Sequence, residues 1–144
     1  MKWSDGLVED NRTIVEILQE AKELISNPEN WCQGDLYQRE DGSPVTTAHA
    51  ESICRYCSVG AIYKTVPWGN TNAGKNHWSA MSYLERAIDL RSKVSRSHEI
   101  VDFNDTNPHE VVMEMWDDAI RIAEEENDAL KLELMKIKGE VNDS

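Results

Sequence analysis

The sequence predicts an all-α fold: four main helices in a compact bundle, at most a small hairpin near residues 32–46, and an extended C-terminal helix. Three observations carry that prediction. Apolar residues recur at three- and four-residue spacing in four segments, the last reaching nearly to residue 144. Breakers separate these segments, notably Asn27-Pro28, Asp41-Gly42-Ser43-Pro44 and Pro67. The composition is that of one globular domain with a single modest core, 40% apolar and 29% charged.

In the first helix Ile14, Ile17, Leu18, Ala21, Leu24 and Ile25 draw one apolar stripe. Asp10 or Asn11 is placed to cap it, and Asn27-Pro28 to end it. Around the turn at 41–44, Cys32–Gln38 and Val45–Thr46 form short extended pieces able to pair as a hairpin. A second helix is expected from Thr46 or Thr47 to Val66, with Gly60 allowing a close approach of another helix. After a polar, glycine-bearing loop over residues 66–78, Ser79 is expected to cap a third helix carrying Met81, Leu84, Ala87 and Ile88. The fourth has the strongest start signal, Asn107 as cap, Pro108 next and Glu110 able to reach back.

Along this last helix Trp116, Ile120, Ala123, Asn127, Leu130, Leu134, Ile137 and Val141 are spaced alternately four and three apart. That is a heptad seam. The expected organisation is a helical domain over 1–123 and an extension over 124–144. The seam points to a homodimer through Trp116, Ile120, Asn127, Leu130, Leu134 and Ile137, in antiparallel pairing; the alternative is that it folds back on its own domain.

The formal net charge is −12. Phosphate contacts need Lys and Arg, so direct binding to nucleic acid or to an anionic membrane is not expected. Residues 109–144 hold eleven acids against four bases, whereas 74–96 hold five bases (Lys75, Arg86, Arg91, Lys93 and Arg96) against two acids. No apolar run approaches the ~20 residues of a membrane span. The opening "MKWSDGLVED" lacks a signal-peptide core, and the 3 cysteines do not make a secreted disulfide framework. A cytoplasmic protein is the expectation.

In order, "WCQG" (31–34), "DGSPV" (41–45), "CSVGAI" (57–62), "FND" (103–105) and "EVVMEMWDDAI" (110–120) resemble an uncharacterised small helical domain family of bacteria and bacteriophages. The similarity spans roughly residues 12–123. It implies a mainly helical fold, no established activity, and structural roles for Trp31, Gly34, Cys57, Gly60, Ala61, Asn104 and Asp105. It also implies a bacterial or infected-host cytoplasm as the setting.

The candidate chemistry is sparse. Cys54 and Cys57 form one CxxC with no second pair; Cys32, His49, His77, His98 and His109 are the remaining N and S donors, and no metal site is expected. Cys57, followed by histidines and Asn104, has the order of a cysteine hydrolase. Three turns inside the expected helix, however, its thiol is beyond the reach of the helix dipole. "DFNDTNPHE" (102–110) opens like a calcium loop, but Thr106, Asn107 and Met113 stand where further ligands and glycine are needed. Asn104-Asp105 reads instead as a turn. No catalytic residue, metal or cofactor is therefore expected.

Tryptophans beside Asn, Gly and Lys in "VPWGNTNAGKNHW" suit stacking and hydrogen bonding. The expected binding residues are Trp31, Trp68, Asn70, Asn72, Lys75, Asn76 and Trp78. The function so read is a non-enzymatic binding protein, phage-like, acting on a bacterial host protein or signal. The alternatives are a protein that sequesters a small nucleotide-like ligand, an acidic nucleic-acid mimic, and a cysteine hydrolase using Cys57.

Overall fold

A computed structural model describes residues 8–47, 52–91 and 100–142. Trp3, His49, Lys93, Arg96 and His98 lie outside the described residues. The chain runs through α1 (Ile14–Ile25), a 3-10 turn (Pro28–Asn30) and strands β1 (Tyr37–Gln38), β2 (Pro44–Val45) and β3 (Arg55–Tyr56). It continues through α2 (Ser58–Thr65), α3 (Ala73–Arg91), α4 (Ile100–Thr106) and α5 (His109–Asn142). The fold is mainly helical with a long last helix, as the spacing predicts.

Thr13, rather than Asp10 or Asn11, caps α1. Its hydroxyl accepts from the Glu16 N–H while the Glu16 carboxylate accepts from the Thr13 N–H, a capping box. Asp10 instead accepts from the Arg12 guanidinium at 2.8 and 2.6 Å and from the Asn70 amide at 3.1 Å. The Arg12 guanidinium holds the Asp10 carboxyl well below the usual carboxylate range. Arg12 also donates to the Thr65 carbonyl at 2.8 Å, and Val8 bridges to Asn70. The strip before α1 is thus fastened to the end of α2 and the loop after it.

The hairpin forms with Tyr37 opposite Val45 and Gln38 opposite Pro44. Gly42 takes φ +86°, a conformation that glycine adopts without strain. A third strand, β3, pairs with the other edge of β1, giving the order β2-β1-β3. It corrects the expected second helix, which does not begin near Thr46 but at Ser58. A two-residue strand leaves no period to read, and Tyr56 fits a helical stripe as well as it fits the strand, where it meets Tyr37 edge-on at 6.0 Å.

Two further boundaries differ from expectation. α3 starts at Ala73, so half of the expected 66–78 loop is helix. Asn72 precedes it at φ 59°, and its carbonyl accepts from the Asn76 N–H. Asn104 and Asp105 lie within the short helix α4 rather than in a turn. The Asn107 amide donates back to the Phe103 carbonyl, and the Pro108 carbonyl accepts from Val111 and Val112 at the start of α5.

The core fills the space between α1, α2, α3 and α5, with Leu18, Ile25, Ile62, Leu84, Ile88, Met115 and Trp116 fully buried. α3 runs antiparallel to α5: Arg91 pairs with Glu114 and Asp118, while Tyr83 and Arg86 meet Glu126. The seam divides accordingly. Trp116 and Ala123 are buried, Ile120 and Asn127 half-buried, and Leu130, Leu134 and Ile137 exposed. The stripe beyond Asn127 does not fold back on the described part of its own domain.

Candidate functional site

Two places concentrate chemistry-bearing side chains: a buried polar knot around Asn104 and an aromatic corner where α2 passes into α3. The knot begins with Cys57, the N-cap of α2, whose sulfur accepts from the Gly60 N–H at 3.4 Å. The next residue, Ser58, is fully buried. Its N–H and hydroxyl both donate to Asn104 Oδ1, at 3.1 and 2.9 Å. The same oxygen accepts from the Trp31 indole at 2.8 Å. The Ser58 hydroxyl in turn accepts from the Trp116 indole at 3.1 Å.

The other end of the Asn104 amide donates to the Cys32 carbonyl and to Asp105 Oδ1, both at 3.0 Å. Asp105 also accepts from the Gly34 N–H at 3.0 Å, and Gln33 donates to the Asn104 and Asn107 carbonyls. The orientation of the amide follows from its neighbours. Indole and backbone N–H groups can only donate and a carbonyl can only accept, so the oxygen faces the first and the nitrogen the second. Among the short side chains asparagine alone pairs an acceptor oxygen with a separate nitrogen that donates twice. Aspartate would bury a charge beside Asp105.

This knot gathers the "WCQG", "CSVG" and "FND" stretches and Trp116 into one network. Every buried side-chain group in it has a partner, so it reads as an architectural element. Gly60 belongs to it through packing: a Cβ there would clash with the Leu36 carbonyl oxygen and stand 3.1 Å from the Tyr37 ring.

The hydrolase reading of Cys57 meets a different obstacle from the one expected. The thiol is at a helix N-terminus, not three turns inside, so the helix dipole is in reach. Yet the residue is 1% exposed, and burial pushes its pKa up. Burial likewise pushes the Cys32 thiol up to about 12. Cys54 is exposed. A soluble alkylating reagent is therefore expected to modify Cys54 first, with Cys32 and Cys57 reacting ~100-fold slower or only on unfolding, as peptide mass mapping would show. Fast labelling of Cys57 in the folded protein would contradict this. Among the described residues no three His, Cys, Asp or Glu side chains converge as a metal-ligand set.

In the aromatic corner His77 is 4% exposed, and its Nε2 meets the Val66 carbonyl at 2.6 Å. A carbonyl only accepts, so Nε2 carries the proton, and Nδ1 has no partner among the described residues. The ring is edged by Trp68 at 4.4 Å and Tyr63 at 4.9 Å. Trp68 is 65% and Trp78 72% exposed. In the same stretch Asn72 and Lys75 are exposed, and Asn76 is half-buried.

Two of the seven expected binding residues are held by other partners. Asn70 donates to Asp10, and Trp31 belongs to the knot, where it also meets His109 edge-on at 5.3 Å. His109 and His77 both reach backbone carbonyls rather than each other or Cys57.

An open groove of about 580 Å³ lies between α3 and α5, lined in part by Arg86, Leu90, Arg121, Ile122 and Glu126. Its charges are largely paired within the chain, Glu126 with Tyr83 and Arg86, and Arg121 with Asp118 and Glu125. No helix among the described residues is long and apolar enough to cross a membrane.

No curated protein and no solved structure matches the chain. Residues 9–122, which hold both the knot and the aromatic corner, match DUF6197, a family of unknown function, and the chain belongs to that family.

Proposed function

We propose that this protein is a non-enzymatic binding module whose working surface is the corner formed by Trp68, Asn72, Lys75 and Trp78. The supporting observation is the pair of exposed indoles, 65% and 72% accessible, Trp68 edged by the ring of the buried His77 and Trp78 next to that histidine in α3. Two large rings left in water beside an ammonium and amide groups are the composition of a protein-binding hot spot. The buried imidazole supports Trp68, and the first turns of α3 carry Trp78. A bacterial host protein is the proposed partner, in a phage-like setting and in the cytoplasm; a nucleotide-like ligand stacked on the same rings is the second form of this reading.

The test is retention of a partner from bacterial extract on the immobilised protein at ~0.5 M salt, where screening removes most surface electrostatics. Retention that is lost in Trp68→Ala and Trp78→Ala supports the corner. A partner held only at low salt, and indifferent to both substitutions, would favour the acidic last helix acting as a nucleic-acid mimic. Thermal stabilisation by nucleotides, abolished by the same two substitutions, would identify the ligand as a nucleotide.

A further inference from the structure

Beyond Asn127 the apolar stripe of α5 has no cover among the described residues. Leu130, Leu134 and Ile137 are 60, 57 and 54% exposed, whereas Trp116, Ala119 and Ala123 are buried. At about 100° per residue the three exposed side chains point within about 60° of Ala119. The face that packs on the body therefore runs on past it. Lys131 and Lys138 flank this stripe on one side, Glu126 and Glu133 on the other.

We propose that the distal half of α5 is covered by the same segment of a second copy of this chain, with the two helices antiparallel. The stripe is one helix wide and bounded by charges, so its occupant is a single helix with apolar residues at the same alternating spacing. This chain carries such a helix, and a two-fold pairing uses one stripe twice. From Asn127 to Asn142 the helix is about 24 Å long and about 10–12 Å wide, on the order of 300 Å² per copy. That is well under the ~800 Å² per partner of a standard interface, so the pair is weak and reversible.

Orientation follows from where the body lies. α1 and α3 occupy the stripe side of α5 as far as Ala123. A parallel partner would have to run the first half of its own α5 through that space, whereas an antiparallel partner places its body at the far end. The flanking charges oppose this choice. In antiparallel pairing the lysine flank faces the lysine flank of the second copy and the glutamate flank faces its glutamate flank; a parallel pairing would set Glu126 against Lys131 and Glu133 against Lys138. Exposed ion pairs change an association constant by at most about fivefold each, and overlap of two folded bodies forbids it, so the steric term decides.

The charge pattern supplies the test. Sedimentation of the intact protein from ~10 to ~300 μM is expected to show a monomer–dimer equilibrium, stronger at ~0.5 M than at ~0.05 M salt because like charges on the flanks are screened. Leu130→Asp with Leu134→Asp, on exposed positions, is expected to leave a folded monomer. Glu133→Lys turns two repulsions of the antiparallel pair into attractions and is expected to tighten the dimer about three- to tenfold. A monomer at every concentration, a larger oligomer, or a dimer that survives the double aspartate variant would overturn the proposal. Loosening by Glu133→Lys would overturn the antiparallel orientation, because that substitution sets cations together in a parallel pair.

Discussion

Asn104→Ala is expected to lower the unfolding free energy by about 3–5 kcal/mol, a large share of the roughly 5–15 kcal/mol of a whole domain. The Ser58 N–H and hydroxyl and the Trp31 indole lose their shared acceptor, and the Cys32 carbonyl loses its donor. Each buried group left unsatisfied costs about 1–3 kcal/mol, and the terms overlap because the groups share one amide. Asn104→Asp keeps the accepting oxygens but places a carboxylate against Asp105 and the Cys32 carbonyl, so it is expected to rescue little. Urea unfolding followed by tryptophan fluorescence checks both. A loss under about 1 kcal/mol for Asn104→Ala would mean that the knot does not hold the domain together.

Gly60→Ala is expected to destabilise by about 2–4 kcal/mol, the reverse of the ~1 kcal/mol gain that alanine brings to an ordinary helix position. The new methyl would clash with the Leu36 carbonyl oxygen, a backbone atom that cannot rotate away. Either α2 shifts from the β1 segment or the Cys57 N–H loses its bond to that same carbonyl. Gly74→Ala is the control. It lies in α3, and its added carbon would meet only the Trp68 ring at 3.6 Å, an ordinary contact. A gain of up to about 1 kcal/mol is expected there. Equal effects at the two positions would mean that Gly60 reflects no close packing.

Periodicity located α1, the middle of α3 and the whole of α5, because each has enough turns for a stripe to show. The Asp41–Pro44 turn likewise announced the hairpin. What stayed hidden is short or depends on distant partners. β3 has two residues, and it exists because Gln38 and Leu36 offer carbonyls to Cys54 and Cys57. Cysteine is not among the usual cap residues, so nothing local marked Cys57 as the start of α2.

The beginning of α3 was hidden by Gly74 and by asparagines at 72 and 76, residues that favour turns. The knot itself was legible only in part. Trp31, Gly34, Cys57, Gly60, Asn104 and Asp105 stood out as structural positions, but their convergence on one amide joins residues more than seventy apart. The signal that could have found it is Ser58, a polar residue set between Cys57 and Val59 in an otherwise small and apolar run. A serine there needs a buried partner.

The roles assigned to Trp31, Ser58 and Asn104 require them to act as one unit. Trp31→Phe removes one donor to Asn104 Oδ1; Ser58→Ala removes another and also leaves the Trp116 indole without its acceptor. A double-mutant cycle on unfolding free energy measures whether the two losses are coupled through the shared oxygen. The expected interaction energy is at least about 0.5 kcal/mol, with the double variant less destabilised than the sum of the singles. Strict additivity, within about 0.3 kcal/mol, would contradict a single cooperative knot at Asn104.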